Sequence, residues 1–256
     1  VPAPAESNQS PPGTRDTDDA TGLGARVKKI SLLSGALVLL WAGAFCCGLA
    51  LKALMQGEGL VVAAALLVIG ATLAVVTTIC GELDPRTVLV GYGLRPTDAL
   101  GFRPARIVLY IGLGFVLAAA AWLIATYVTS PLFPRPDGLV DDRATGYSSA
   151  RPVVGALGQF VQNGFPEELM FRTPVVLWAV MIMPTFATRV ARWSSGAAVV
   201  LLTSVLFAAI HSEYGMWNMS HAFLSGLLYG TAALLFRSLW PTIIAHTAYD
   251  TAVLVL

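Results

Sequence analysis

The chain has 256 residues, of which 56% are hydrophobic and 12% charged, and its mean hydropathy is +0.71. Water-soluble domains carry roughly 25% charged residues, so that class is excluded. The 16 Lys and Arg against 15 Asp and Glu leave a net charge of +1, too little to draw in nucleic acid through a global field.

Residues 1–29 are rich in Pro, Ser, Thr, Gly and Asp and cannot bury enough apolar surface to offset the entropy of ordering, so they are expected to form a disordered tail. Arg26, Lys28 and Lys29 directly precede the run Ile30 to Leu51, which has no Asp, Glu, Lys or Arg. The run is longer than the core of a cleavable signal and reads as a retained anchor with a cytoplasmic tail. Lys52 and Glu58 bracket a short outer turn. The uncharged run Gly59 to Gly81 follows, and Glu82 to Arg106 reads as an inner loop. Cys46, Cys47 and Cys80 fall in or beside apolar runs with no disulfide or metal spacing, and are read as packing residues. Ile107 to Pro134 is a third span and Pro131 to Arg151 an outer loop.

A hydrocarbon core of about 30 Å takes about 20 helical residues, a length that Trp193 to Ile210 and Tyr214 to Phe236 approach or exceed without a charged residue. Arg189 and Arg192, Glu213, and Arg237 mark the intervening turns. The fold class is therefore all-α, a polytopic transmembrane bundle with seven or eight spans. Residues 30–151 form its N-terminal helices and residues 152–256 a distinct core. The setting is an integral, multi-pass protein of the plasma (inner) membrane. No nucleic-acid partner is expected, and the oligomeric state is left open.

Pro152 to Met183 does not fit a simple anchor. As one helix it would reach about 48 Å, and it contains Gly164, Pro166 and the charged residues Glu167, Glu168 and Arg172. The pattern predicts a lead-in helix before Gly164 and a second helix starting near Pro166, where a missing donor is tolerated. Ionisable groups at membrane depth are costly and therefore usually functional. Glu168 and Arg172, four apart, stack as an ion pair on one helix face. Glu167 points about 100° away without such a partner, and a partly desolvated carboxylate suits proton abstraction from water. Phe207 and His211, also four apart, place a ring beneath an imidazole. His246 and Asp250 repeat that spacing, and a carboxylate one turn away can orient an imidazole. His221 lies outside these pairs and reads as an interfacial residue near an outer turn. Gly226 and Gly230 read as a close helix contact.

The segments EELMFR, FAAIH and HTAYD resemble, in that order, the EExxxR, FxxxH and HxxxN or HxxxD motifs of the CPBP family of intramembrane endopeptidases. That group includes the Rce1-type CAAX prenyl proteases and the Abi-type bacteriocin-immunity proteins. The resemblance covers about residues 152 to 256. It implies that Glu167 activates a water, that His211, His246 and Asp250 complete the catalytic set, and that Glu168, Arg172 and Phe207 support it. Thr173 stands where the family often has Gly, and Asp250 where Asn is common.

By residue type, Glu167, His211, His246 and Asp250 can supply a two-histidine, carboxylate zinc site with an open position for water. No HExxH segment is present, and one carboxylate with two imidazoles can also activate water directly. Metal-free hydrolysis is the favoured reading and zinc the open alternative. The expected substrate is a membrane-associated protein or peptide within the lipid bilayer. A transporter or proton relay using the same Glu, His and Asp cluster, or a non-catalytic immunity or scaffold protein, are the rival functions.

Overall fold

The computed structural model describes residues 38–39, 41–54, 69, 104–135 and 152–255. The tail, all of the second apolar run but residue 69, Cys80, the 82–103 loop and residues 136–151 lie outside the described residues. Helix α1 spans Trp41–Leu54. Helix α2 runs Pro104–Ile124 and continues through a π-turn, Ala125–Thr129, to Leu132. Helices α3, Pro152–Gln159, and α4, Phe165–Leu177, are followed by α5, Arg189–Ala209, α6, Gly215–Phe236, and α7, Trp240–Val255.

The described residues are helical apart from short connections, in keeping with the all-α expectation. Among the described residues three stretches are long and apolar enough to cross a membrane: Ala105–Leu132, Arg189–Ala209 and Gly215–Phe236. Polarity is inverted relative to a soluble protein. Val108, Phe115 and Val116 on α2 and Leu201, Leu202 and Val205 on α5 are exposed, whereas Glu167, Glu168, Arg172 and His246 are buried. Exposed aliphatic faces of this extent suit contact with lipid, and the charged side chains then have only the bundle interior in which to find partners.

Pro152 to Met183 divides as expected, into a lead-in helix before Gly164 and a second helix starting at Phe165, next to Pro166, but the chain does not unwind between them. Gly164 is right-handed helical (φ −55°, ψ −52°), and the chain passes from α3 into α4 through a π-turn, Phe160–Gly164, closed by Phe165 N–H on the Phe160 carbonyl. Pro166 lacks a donor and its ring crowds the carbonyl one turn back. Widening the turn relieves that conflict without ending the helix. Pro174 lies inside α4, and a second π-turn follows the helix at Trp178–Ile182. The missing N–H of Pro174 also frees the carbonyl of Met170, and Trp41 Nε1–H of α1 donates to that oxygen at 2.8 Å.

Helix α4 lies against α5, α6 and α7, while α6 packs along α5 and α7 along α2. The α5–α6 contact uses the expected small residues: a Cβ on Gly226 would sit 3.1 Å from Ser204 Cβ, and one on Gly230 3.0 Å from Val200 Cγ1. The closest approach for the site is at Gly164. A Cβ there would lie 2.2 Å from Thr247 Oγ1, 3.2 Å from Thr247 N and 3.3 Å from the Ile243 carbonyl. The hydroxyl can rotate aside but the backbone of α7 cannot. Gly164→Ala is therefore expected to cost about 1–3 kcal/mol as an overpacked contact, read as a lower melting temperature in detergent. Thr247→Ala in that background should recover part of the loss, because it removes the nearest clashing atom.

Candidate active site

Glu167 and Glu168 occupy the first turn of α4 and are both buried. Adjacent positions diverge by about 100° around a helix, so the two carboxylates meet different partners. Glu168 Oε2 faces Arg172 Nε at 3.5 Å, the (i, i+4) pair read from the sequence, and both side chains are fully enclosed. The Arg172 guanidinium also lies over the Phe207 ring, 4.6 Å from its centroid.

His246 of α7 reaches the same point. Its Nδ1 lies 3.0 Å from Glu168 Oε1. An ionised carboxylate only accepts, so Nδ1–H is the donor and Nε2 is turned toward the interior. Nε2 stands 3.7 Å from Glu167 Oε2 and 3.7 Å from Asp250 Oδ2. The carboxylate that hydrogen-bonds this ring is thus Glu168 from the facing helix. Asp250, the partner expected from (i, i+4) spacing, stands too far away for a hydrogen bond.

His211 follows the C-terminal end of α5. Its Nδ1 is 2.7 Å from the Phe207 carbonyl, an acceptor that again makes Nδ1–H the donor. Nε2 is then directed at Glu167 Oε2, 3.8 Å away. Phe207 packs as the spacing predicted, its centroid 4.4 Å from that of His211, and it also meets the His246 ring edge-on at 5.9 Å. Asn218 of α6 donates from Nδ2 to the His211 carbonyl at 3.1 Å, steadying the turn that carries the ring. Two imidazoles from separate parts of the chain therefore present the same nitrogen to one carboxylate oxygen.

The other Glu167 oxygen has a partner that the sequence did not indicate. Lys52 Nζ of α1 forms a hydrogen-bonded ion pair with Oε1. Lys52, read as the edge of an outer turn, lies in the last turn of α1, and Glu167, which has no partner on its own helix, finds one there. No local signal could have found it, because the residues lie 115 positions apart. His221, read as an interfacial residue near an outer turn, packs inside the bundle. It is buried, with its ring stacked 4.8 Å from Tyr249 and 6.4 Å from Trp217. This packing uses the ring faces and accounts for an apolar environment around an imidazole.

The residues proposed as metal ligands are near neighbours, yet among the described residues no group of three His, Cys, Asp or Glu is arranged to hold an ion. One oxygen of Glu167 already carries a cation, the Lys52 ammonium. Chemically, the cluster offers a carboxylate oxygen and two imidazole nitrogens around one point, with a cation behind the carboxylate. Contacts of 3.7 and 3.8 Å exceed hydrogen-bond length and are of the kind that a single water can bridge.

Comparison with curated proteins and with solved structures returned no match. Residues 149–252 match the family model described as type II CAAX prenyl endopeptidase Rce1-like, a stretch that holds the two acids of α4, His211, His246 and Asp250. The match is consistent with a CPBP/CAAX protease family, and its motif residues are gathered around Glu167.

Proposed function

We propose that the protein is an intramembrane endopeptidase that hydrolyses a peptide bond of a membrane-associated protein or peptide, using water activated by Glu167. The observation that carries this reading is the convergence of His211 Nε2 and His246 Nε2 on Glu167 Oε2, at 3.8 and 3.7 Å. A water that donates to Oε2 and to one of the two imidazole nitrogens can attack the scissile carbonyl while Oε2 takes its proton. The same proton then passes to the departing amine as the C–N bond breaks, so Glu167 ends the cycle ionised. Motif spacing supplies no Ser or Cys nucleophile, which favours direct attack by water over an acyl-enzyme. His246 is held by Glu168, and Arg172 offsets the charge of Glu168. Asp250 flanks the His246 nitrogen.

This chemistry needs solvent below the lipid surface. The buried Tyr229 hydroxyl and all three Arg172 nitrogens have no hydrogen-bond partner among the described residues, and buried polar groups of this kind are usually satisfied by internal water. The full chain is proposed to cross the plasma membrane seven or eight times with a cytoplasmic N-terminus, and to work without a metal ion.

Purified protein in sealed liposomes, supplied with membrane-inserted peptides, tests the assignment. Time-dependent appearance of new peptide termini is the expected result. Gradient-dependent proton or cation flux without any fragment would instead establish the transporter reading.

A further inference from the structure

Helix α1 precedes the matched region by almost a hundred residues and, by composition, is an ordinary apolar helix. Its contacts are nevertheless specific to the helix that carries the acids. Trp41 Nε1–H bonds the Met170 carbonyl that Pro174 leaves free, at 2.8 Å. Two turns further on, Gly48 has no room for a side chain: a Cβ would lie 2.6 Å from Met170 Cγ and 2.6 Å from the Pro166 carbonyl. One turn beyond that, Lys52 meets Glu167 Oε1. Three positions on one face of α1 thus fix its depth, its distance and its register against α4. The register brings a flexible cation to the one buried acid that Arg172 does not pair with.

We propose that Lys52 is a positioning residue of the hydrolytic site. By holding Glu167 Oε1 it leaves Oε2 as the oxygen presented to His211, His246 and the attacking water. The assignment rests on the hydrolytic reading given above. A carboxylate has two equivalent oxygens and rotates freely about its last bond. With the ammonium on one of them, the other is directed at the imidazole nitrogens, 3.8 and 3.7 Å away. Lys52 also supplies the counter-charge that lets Glu167 remain ionised inside the bundle. The side chain is 28% exposed against 6% for Glu167, so the cation lies on the outer side of the acid, away from the water position.

The test uses the full chain in liposomes with the inserted peptide substrate, comparing Lys52→Met, Lys52→Arg and Lys52→Met combined with Glu167→Gln. Misplacing a reacting group by about 1 Å costs about 10²-fold. Lys52→Met is therefore expected to lower kcat about 10²-fold and to leave KM within about threefold, because the lysine does not touch substrate. Lys52→Arg keeps the cation and should return kcat to within about tenfold of wild type. In the Glu167→Gln background, Lys52→Met should change the residual rate by less than about twofold, since the residue acts only through the carboxylate. Wild-type cleavage with an unchanged kcat in Lys52→Met would overturn the role of Lys52 alone, as would an equal loss in Lys52→Arg. No cleavage by wild type would overturn the hydrolytic reading and this assignment together. A melting temperature for each variant within a few degrees of wild type separates lost positioning from lost folding.

Discussion

Glu167→Gln is expected to lower kcat for peptide cleavage by about 10²–10⁴-fold, the usual contribution of a general base, while the variant inserts and folds normally. Glutamine keeps the length and planarity of the side chain, and its amide oxygen can still accept from Lys52, whose pairing with Glu167 Oε1 positions the group. It cannot take a proton from water. The loss should therefore appear in kcat, with KM changed little, because substrate contacts elsewhere in the membrane are untouched. Cleavage assays and melting curves on the same liposome preparations check both parts. An unfolded variant or a lost KM would point to a structural acid instead of a base.

The largest effect on stability is expected at Arg172. Its guanidinium is fully enclosed, 3.5 Å from Glu168 Oε2 and stacked on Phe207. Arg172→Met preserves much of the volume and the contact with the aromatic ring, but leaves Glu168 ionised in the interior without its cation. Breaking a buried pair from one side costs about 3–5 kcal/mol. The damage should extend to activity, since Glu168 Oε1 is the atom that holds His246 Nδ1, 3.0 Å away. Pairing Arg172→Met with Glu168→Gln removes the uncompensated charge and should recover a large part of the stability, though not the full rate, as the amide holds the imidazole less tightly. Thermal unfolding of the two single variants and the double variant gives the coupling directly.

The site was legible in the sequence to the extent that it is local. In EELMFR, FAAIH and HTAYD the motif residues four apart share a helical face. The Glu168–Arg172 pair and the Phe207–His211 stack both form at the expected (i, i+4) spacing. What spacing along one helix cannot supply is the choice between helices. Asp250 is the local partner for His246, yet Glu168 wins the hydrogen bond. Its carboxylate is wholly enclosed and must be satisfied within the bundle, whereas Asp250 keeps some contact with the surroundings. Lys52 was hidden for a similar reason, since a lysine closing an apolar run is the ordinary mark of a turn and its approach to Glu167 depends on how α1 docks. Pro166 was read as the start of a second helix, which begins one residue earlier, at Phe165, but the way the lead-in helix passes into it was not legible. The π-turns at Phe160–Gly164 and Trp178–Ile182 carry the helix onward, and Trp41 satisfies the carbonyl freed by Pro174. The burial of His221 was hidden because its packing partner Tyr249 comes from α7, and contacts between α6 and α7 leave no periodicity to read.

The central claim is that Glu167, His211 and His246 act on one water as a single unit. Groups that work as a unit are strongly non-additive, so that removing one costs nearly as much as removing all. The deciding measurement is the rate of cleavage of one defined membrane-inserted peptide by Glu167→Gln, His211→Ala, His246→Ala and the triple variant, each verified as folded by its melting curve. The triple variant is expected to fall within about threefold of Glu167→Gln alone. Three losses that multiply, or a triple variant that still cleaves at the wild-type rate, would contradict it.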